Sequence, residues 1–105
     1  MISRHWTGVA KGERANDYLS HLRSDTFPKL TKLDGFMGAQ VLRREVPQGI
    51  EFRVVTTWES WHSITQFAGK DPGAAVVPEI VQSMMETFET RVAHYEIVDS
   101  YSPRR

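Results

Sequence analysis

Hydrophobic and polar positions alternate with a period of two over residues 2–9, 36–46 and 50–59, which predicts three β-strands. Between the first two, Ala15, Tyr18, Leu19 and Leu22 recur at helical spacing behind Lys11-Gly12-Glu13. Glu13 and Asp17 stand near the start of that helix, where its dipole favours anions. Pro28 has no backbone donor and disfavours helix at the residue before it. It predicts a break near residues 24–26, then a short helical segment carrying Phe27 and Leu30 that Asp34-Gly35 ends. Pro47-Gln48-Gly49 between the second and third strands reads as a hairpin loop of about three residues. On the third strand Ile50, Phe52, Val54, Thr56 and Trp58 share one face, the better candidate for the core.

Ser60 is placed to cap a helix of about two turns in which Trp61, Ile64, Phe67 and Ala68 line one side and Gly69 supplies the stop. Lys70-Asp71-Pro72-Gly73 is turn chemistry, residues 74–85 read as a further short helix, and residues 88–98 as the last strand. Residues 102–105 form a polar tail. The order is β-α-β-β-α-β, a ferredoxin-like α+β domain spanning 1–105, with an antiparallel four-stranded sheet and both helices on one face. The strands nevertheless carry apolar groups on both faces, so the face without helices needs a cover. An isologous homodimer, two sheets packed face to face as a dimeric α+β barrel, is the economical solution for a chain of 105 residues.

Composition narrows the field. Lys plus Arg and Asp plus Glu balance at 13 each, which leaves no basic field for nucleic acid or an anionic membrane. No cysteine is present, so disulfides, thiol nucleophiles and zinc–sulfur sites are excluded. The opening Met1-Ile2-Ser3-Arg4-His5-Trp6 meets charge too early for a signal peptide, and no apolar run approaches the roughly 20 residues that span a bilayer. A cytoplasmic protein is expected.

The segments Met1-Ile2-Ser3-Arg4-His5-Trp6, Val41-Leu42-Arg43-Arg44, Thr57-Trp58-Glu59-Ser60, Phe67-Ala68-Gly69 and Val92-Ala93-His94-Tyr95-Glu96 resemble the antibiotic biosynthesis monooxygenase domain family over nearly the whole chain. The resemblance implies a dimeric α+β barrel with a pocket in each protomer between sheet and helices. Some members oxidise polycyclic phenols or quinols with oxygen and neither metal nor flavin, others degrade haem, and many have no assigned activity. The haem-degrading pattern calls for an Asn on the first strand and a His in the second helical region. Here the only Asn is Asn16, and residues 71–85 contain no His. The cofactor-free pattern is a pocket of Trp, Asn, Arg and Tyr side chains, for which the chain offers Trp6, Trp58, Arg4 and Tyr95 without the Asn.

Oxygen reacts slowly with closed-shell molecules, so without a cofactor the substrate must supply the electron as a phenolate or carbanion. The protein then contributes a base, a cation or donor for the anion, and a dry pocket. His94 is the first candidate for base or hydrogen-bonding group; a structural histidine satisfied by a backbone carbonyl is the plain alternative. Arg4 and Trp6 share a strand face, so the guanidinium can hold an anionic oxygen while the indole stacks on a ring. Alternatively, Trp6 is core and Arg4 pairs with a carboxylate such as Glu96. Trp58, Trp61 and His62 cluster where strand meets helix and offer an aromatic wall for a planar ligand, although core packing also explains both indoles. His5, on the opposite strand face, and His21, beside the apolar stripe of the first helix, read as a structural and a surface residue.

The four histidines, at 5, 21, 62 and 94, lack metal-ligand spacing, so no metal and no other cofactor is expected. Proline interrupts Gly69-Lys70-Asp71-Pro72-Gly73 as a phosphate cradle, no serine sits in an elbow motif, and Arg43-Arg44-Glu45 reads as a solvated edge. The expected function is a cofactor-independent monooxygenase-like protein acting on or binding a small hydrophobic or aromatic, quinol-type molecule. His94 and Arg4 are its candidate catalytic residues, and Trp6, Trp58, His62 and Tyr95 its candidate ligand-binding residues. A non-catalytic binding or assembly barrel is the second reading, and haem binding or breakdown the third.

Overall fold

The computed structural model of the protein describes residues 1–103, so Arg104 and Arg105 of the expected polar tail lie outside the described residues. Strands β1 (Ile2–Ala10), β2 (Phe36–Val46), β3 (Gly49–Trp58), β4 (Met85–Phe88) and β5 (Ala93–Glu96) form one antiparallel sheet. Its order is β2-β3-β1-β4, with β5 also paired to β1, and the helices cover one face. This is the ferredoxin-like α+β arrangement that the pattern predicts. β1 lies centrally, paired with β3 along its whole length from Ile2↔Trp58 to Ala10↔Ile50. The β2–β3 hairpin closes at Val46↔Gly49, so its loop is two residues, one shorter than expected. Phe52 and Trp58 are fully buried and Thr56 nearly so, as the alternation on β3 requires.

After β1, a 3₁₀ turn at Gly12–Arg14 leads into α1 (Ala15–His21), whose stripe buries Ala15 and Tyr18. The break expected at residues 24–26 is absent. The chain instead widens into a π-helical turn at Leu22–Thr26, with the Phe27 amide donating to the Leu22 carbonyl, and continues into α2 (Phe27–Leu30). Pro28 explains the substitution. It cannot donate to the carbonyl four residues back, and its ring crowds that carbonyl, so one wide turn accommodates it without ending the helix. His21, expected at the surface, is mostly buried: its side chain is 15% exposed and Nε2 has no hydrogen-bond partner. α3 (Trp61–Ala68) is capped by Ser60, whose Oγ accepts from the Ser63 amide at 3.2 Å. Gly35 has φ +82°, and a Cβ there would fall 2.0 Å from Ser63 Oγ, so only glycine lets this turn pack on α3.

The last third departs most from expectation. The strand expected over residues 88–98 shortens to β5, and an additional strand, β4, precedes it and overlaps the expected range only at Phe88; the two pair with opposite ends of β1, giving five strands where four were expected. The helix expected over residues 74–85 shrinks to α4 (Glu79–Gln82), which starts directly after Pro78. Both changes have one cause. Residues 73–75 run extended beside residues 90–92, joined by Val92 N–H to Gly73 C=O and Ala75 N–H to Thr90 C=O, each 2.9 Å, and by an Ala74–Arg91 bridge. The amides that a longer helix and a continuous strand would use are spent on each other. The result is a strap, residues 71–78, lying over the helical side of the sheet.

Two hydrophobic clusters form the core. One gathers Tyr18, Leu22, Phe52, Val81, Met84 and Met85 with two alanines; the other holds Ile2, Leu30, Trp58 and Ile64. Phe27 packs against both. Trp58 is fully buried, stacks on Phe67 at 6.2 Å and meets Phe36 edge-on at 5.3 Å, and its Nε1 donates to Thr56 Oγ1 at 2.8 Å. Trp58→Ala is expected to destabilise the domain by about 3–5 kcal/mol, as truncation of a buried indole does. Urea denaturation measures it.

Candidate functional site

A cavity lies where the two clusters face one another, between the sheet and the helical layer. Val54, Thr56, Arg4 and Trp6 form its floor on β3 and β1. Tyr18, Leu22, Thr26 and Phe27 form one wall from α1, the π turn and α2, and Val76, Val77 and Pro78 of the strap form the opposite wall with Val81 and Val92. The cavity itself is small, about 70 Å³, and opens to solvent at its mouth. That is below the roughly 300–1,000 Å³ typical of pockets that enclose a drug-sized ligand, so a ring system seated here would extend into the open mouth.

Arg4 is the charged group in this lining, and it is 4% exposed. Its Nη1 donates to the Pro72 carbonyl and to His94 Nε2 at 3.1 Å, its Nη2 donates to the Ala74 carbonyl at 2.8 Å, and its Cζ lies 5.6 Å from the centre of the Phe67 ring. Among the described residues no carboxylate pairs with it, so the alternative of an Arg4–Glu96 pair is not found. Burial lowers its pKa to about 10, which leaves the guanidinium charged at neutral pH. Three of the five guanidinium N–H donors are used, so two remain, Nε and one on Nη2.

His94 stands behind Arg4 rather than in the cavity lining. Arginine can only donate, so His94 Nε2 must be the acceptor and the ring is neutral with its proton on Nδ1. Its pKa is lowered by burial first, then by the charge of Arg4 and by His5. Trp61 meets the His94 ring edge-on at 4.7 Å. The lone pair that a general base would use is thus committed to holding Arg4.

Trp6 lies in the floor with its Nε1 donating to the Glu89 carbonyl at 2.9 Å. Its indole folds back over Gly8, where a Cβ would fall 2.4 Å from the ring, so glycine two residues on creates the indole's bed. The other candidates do not converge here. Trp58 is core beneath α3 and outside the lining, and His62 is exposed on α3. Tyr95, 59% exposed, sits on the opposite sheet face edge-on to His5 at 4.9 Å. Of the six expected residues, Arg4 and Trp6 reach the cavity and His94 touches it through Arg4. Tyr18, Phe67 and the strap complete the lining without having been singled out; a tyrosine within an otherwise apolar helical stripe was the available signal.

No family model and no curated protein matches the sequence. Solved structures do match in fold. A candidate antibiotic biosynthesis monooxygenase from Bacillus cereus aligns over 99% of this chain and 97% of its own, with TM-score 0.67 and 17% identity. The Streptomyces coelicolor monooxygenase ActVA-Orf6, in complex with nanaomycin D, aligns over 98% and 92%, with TM-score 0.65 and 16% identity. The haem degrader MhuD from Mycobacterium tuberculosis, with two haems bound, aligns over 97% and 100%, with TM-score 0.60 and 19% identity. The chain therefore has the fold of antibiotic biosynthesis monooxygenase domains along its whole length. Among the described residues no helix is long and apolar enough to cross a membrane.

The depressed pKa values of His94 and His5 give stability a pH dependence. Both rings resist protonation in the folded state more than in the unfolded chain, where imidazole titrates near 6.5. Their contribution is therefore complete above about pH 6.5 and is lost as pH falls through the folded values. Thermal melts from pH 8 down to pH 5 are expected to show falling stability, and His94→Asn to flatten part of that slope.

Proposed function

We propose that this protein binds a small aromatic, phenol- or quinol-type molecule between sheet and helices and acts on it as a cofactor-independent monooxygenase. One observation carries the reading: a buried guanidinium that, among the described residues, keeps two free donors and has no carboxylate partner, set in an apolar cavity. A buried cation costs several kcal/mol unless it is compensated. The carbonyls of Pro72 and Ala74 supply part of that compensation, and a ligand anion supplies the rest. Arg4 lowers the pKa of a bound phenol, and the resulting anion is the species able to pass an electron to oxygen. For a reactive ring methylene, one oxygen atom becomes the new carbonyl and the other leaves as water with the two displaced hydrogens. Trp6 and Phe67 provide ring contacts, the strap excludes water, and neutral His94 holds Arg4 in place as a positioning residue.

Binding without turnover is the second reading, and the lining favours it in one respect: it contains no carboxylate and no imidazole to accept the substrate's proton. The same lack of imidazole leaves a haem iron without a histidine ligand in the cavity. We propose further that the protein works as a cytoplasmic homodimer. The sheet face opposite the helices exposes Leu42 and Tyr95, at 49% and 59%, beside the partly exposed Val9 and Val55, and no helix covers it. Sedimentation at micromolar concentration reads this directly.

Oxygen uptake with hydroquinones and anthrone-type phenols tests the catalytic reading. Wild type is expected to exceed the spontaneous rate and Arg4→Met to lose roughly 100-fold or more, as removal of a preorganised charge stabiliser does. Ligand-induced rise of the melting temperature without oxygen uptake selects the binding reading; neither response removes both.

A further inference from the structure

Tyr18 is buried to 3% exposure and lines the cavity, yet among the described residues its hydroxyl makes no hydrogen bond. It is not enclosed either: among the described residues the one fully buried side-chain polar atom without a partner is His21 Nε2, so the Tyr18 oxygen keeps contact with open space. The ring is fixed on two sides, edge-on to Phe52 at 5.0 Å and tilted against Trp6 at 6.0 Å. A clamped phenol facing a cavity with an unused donor is a recognition element waiting for an acceptor.

Its place along the floor says what kind of acceptor. Phe52, beneath Tyr18, is paired with Gly8 of β1. Arg4 stands four residues earlier on the same strand, roughly 13 Å away at the rise of an extended chain. The guanidinium reaches away from Tyr18, toward Pro72, Ala74 and Phe67. Trp6 lies between the two, so the floor is an indole with a cation beyond one end and a neutral hydroxyl at the other. Burial also raises the pKa of the Tyr18 phenol, which keeps it a neutral donor.

Resting on the binding reading above, we propose that Tyr18 is a specificity-determining residue: its hydroxyl donates to a neutral oxygen at the far end of a fused-ring aromatic ligand whose acidic oxygen sits on Arg4. The ligand class narrows accordingly, from any phenol to aromatic molecules oxygenated at both ends.

Tyr18→Phe against two probes, β-naphthol and the naphthalenediol with a second hydroxyl on the far ring, tests this by quenching of tryptophan fluorescence. Wild type is expected to bind the diol more tightly, and the variant to lose roughly fivefold to tenfold for the diol while staying within about twofold for the naphthol, the effect of one neutral hydrogen bond. Equal loss for both probes, or a diol preference that survives in the variant, overturns the proposal. Failure of wild type to bind either probe overturns the binding reading, and the role of Tyr18 with it. The variant should melt no lower than wild type, since it deletes a hydroxyl bonded to nothing in the protein. A drop of several degrees would show an internal partner and contradict the assignment.

Discussion

A cation buried with no counter-ion among the described residues is the constraint around which the helical side of this molecule is arranged. Arg4 sits on the central strand, where water cannot reach it freely, and its charge is met by dipoles rather than by a carboxylate. Those dipoles come from the strap, which gives up a longer helix so that the carbonyls of Pro72 and Ala74 point at the guanidinium. The backbone groups left over are satisfied against residues 90–92, which lie between β4 and β5. The Asp71–Arg91 ion pair, exposed on both sides, adds little energy but ties the strap at its outer end. The buried charge and the pairing with residues 90–92 together hold the strap that forms one wall of the cavity.

The π turn has a comparable origin and a comparable result. Pro28 forbids a regular helix through residue 28, and the wide turn that replaces it places Leu22, Thr26 and Phe27 around the cavity. Local backbone chemistry at one proline therefore shapes the wall facing the strap. Gly8 acts on the floor in the same manner, since the Trp6 indole lies flat only because residue 8 lacks a side chain.

Most of the fold was legible because it rests on local rules: alternation on β1, β2 and β3, the stripe of α1, the Ser60 cap and the stop at Gly69. The last third was not, because Ala74-Ala75-Val76-Val77 carries no periodicity that distinguishes a helix from a strap, and the choice is made by distant partners on residues 90–92. At the site, the shared strand face of Arg4 and Trp6 was readable from residue spacing alone. That His94 would accept from Arg4 followed from register, Arg4↔His94 across β1 and β5, which sequence cannot supply. Trp58 and His62 looked like site residues because they adjoin Trp61 in sequence, but strand alternation sends Trp58 into the core, and the rotation of α3 sends His62 to solvent. Tyr18 was hidden for the opposite reason: on an apolar stripe a tyrosine reads as packing.

The central claim is that Arg4 serves as the anchor for an anionic oxygen. Calorimetric titration with an acidic naphthol that ionises near neutrality, repeated on either side of its ionisation, measures that claim most directly. Arg4 stays charged across this range, with its pKa held near 10. Affinity that rises as the naphthol loses its proton is the predicted result. Affinity that is flat or falls on ionisation would contradict the account.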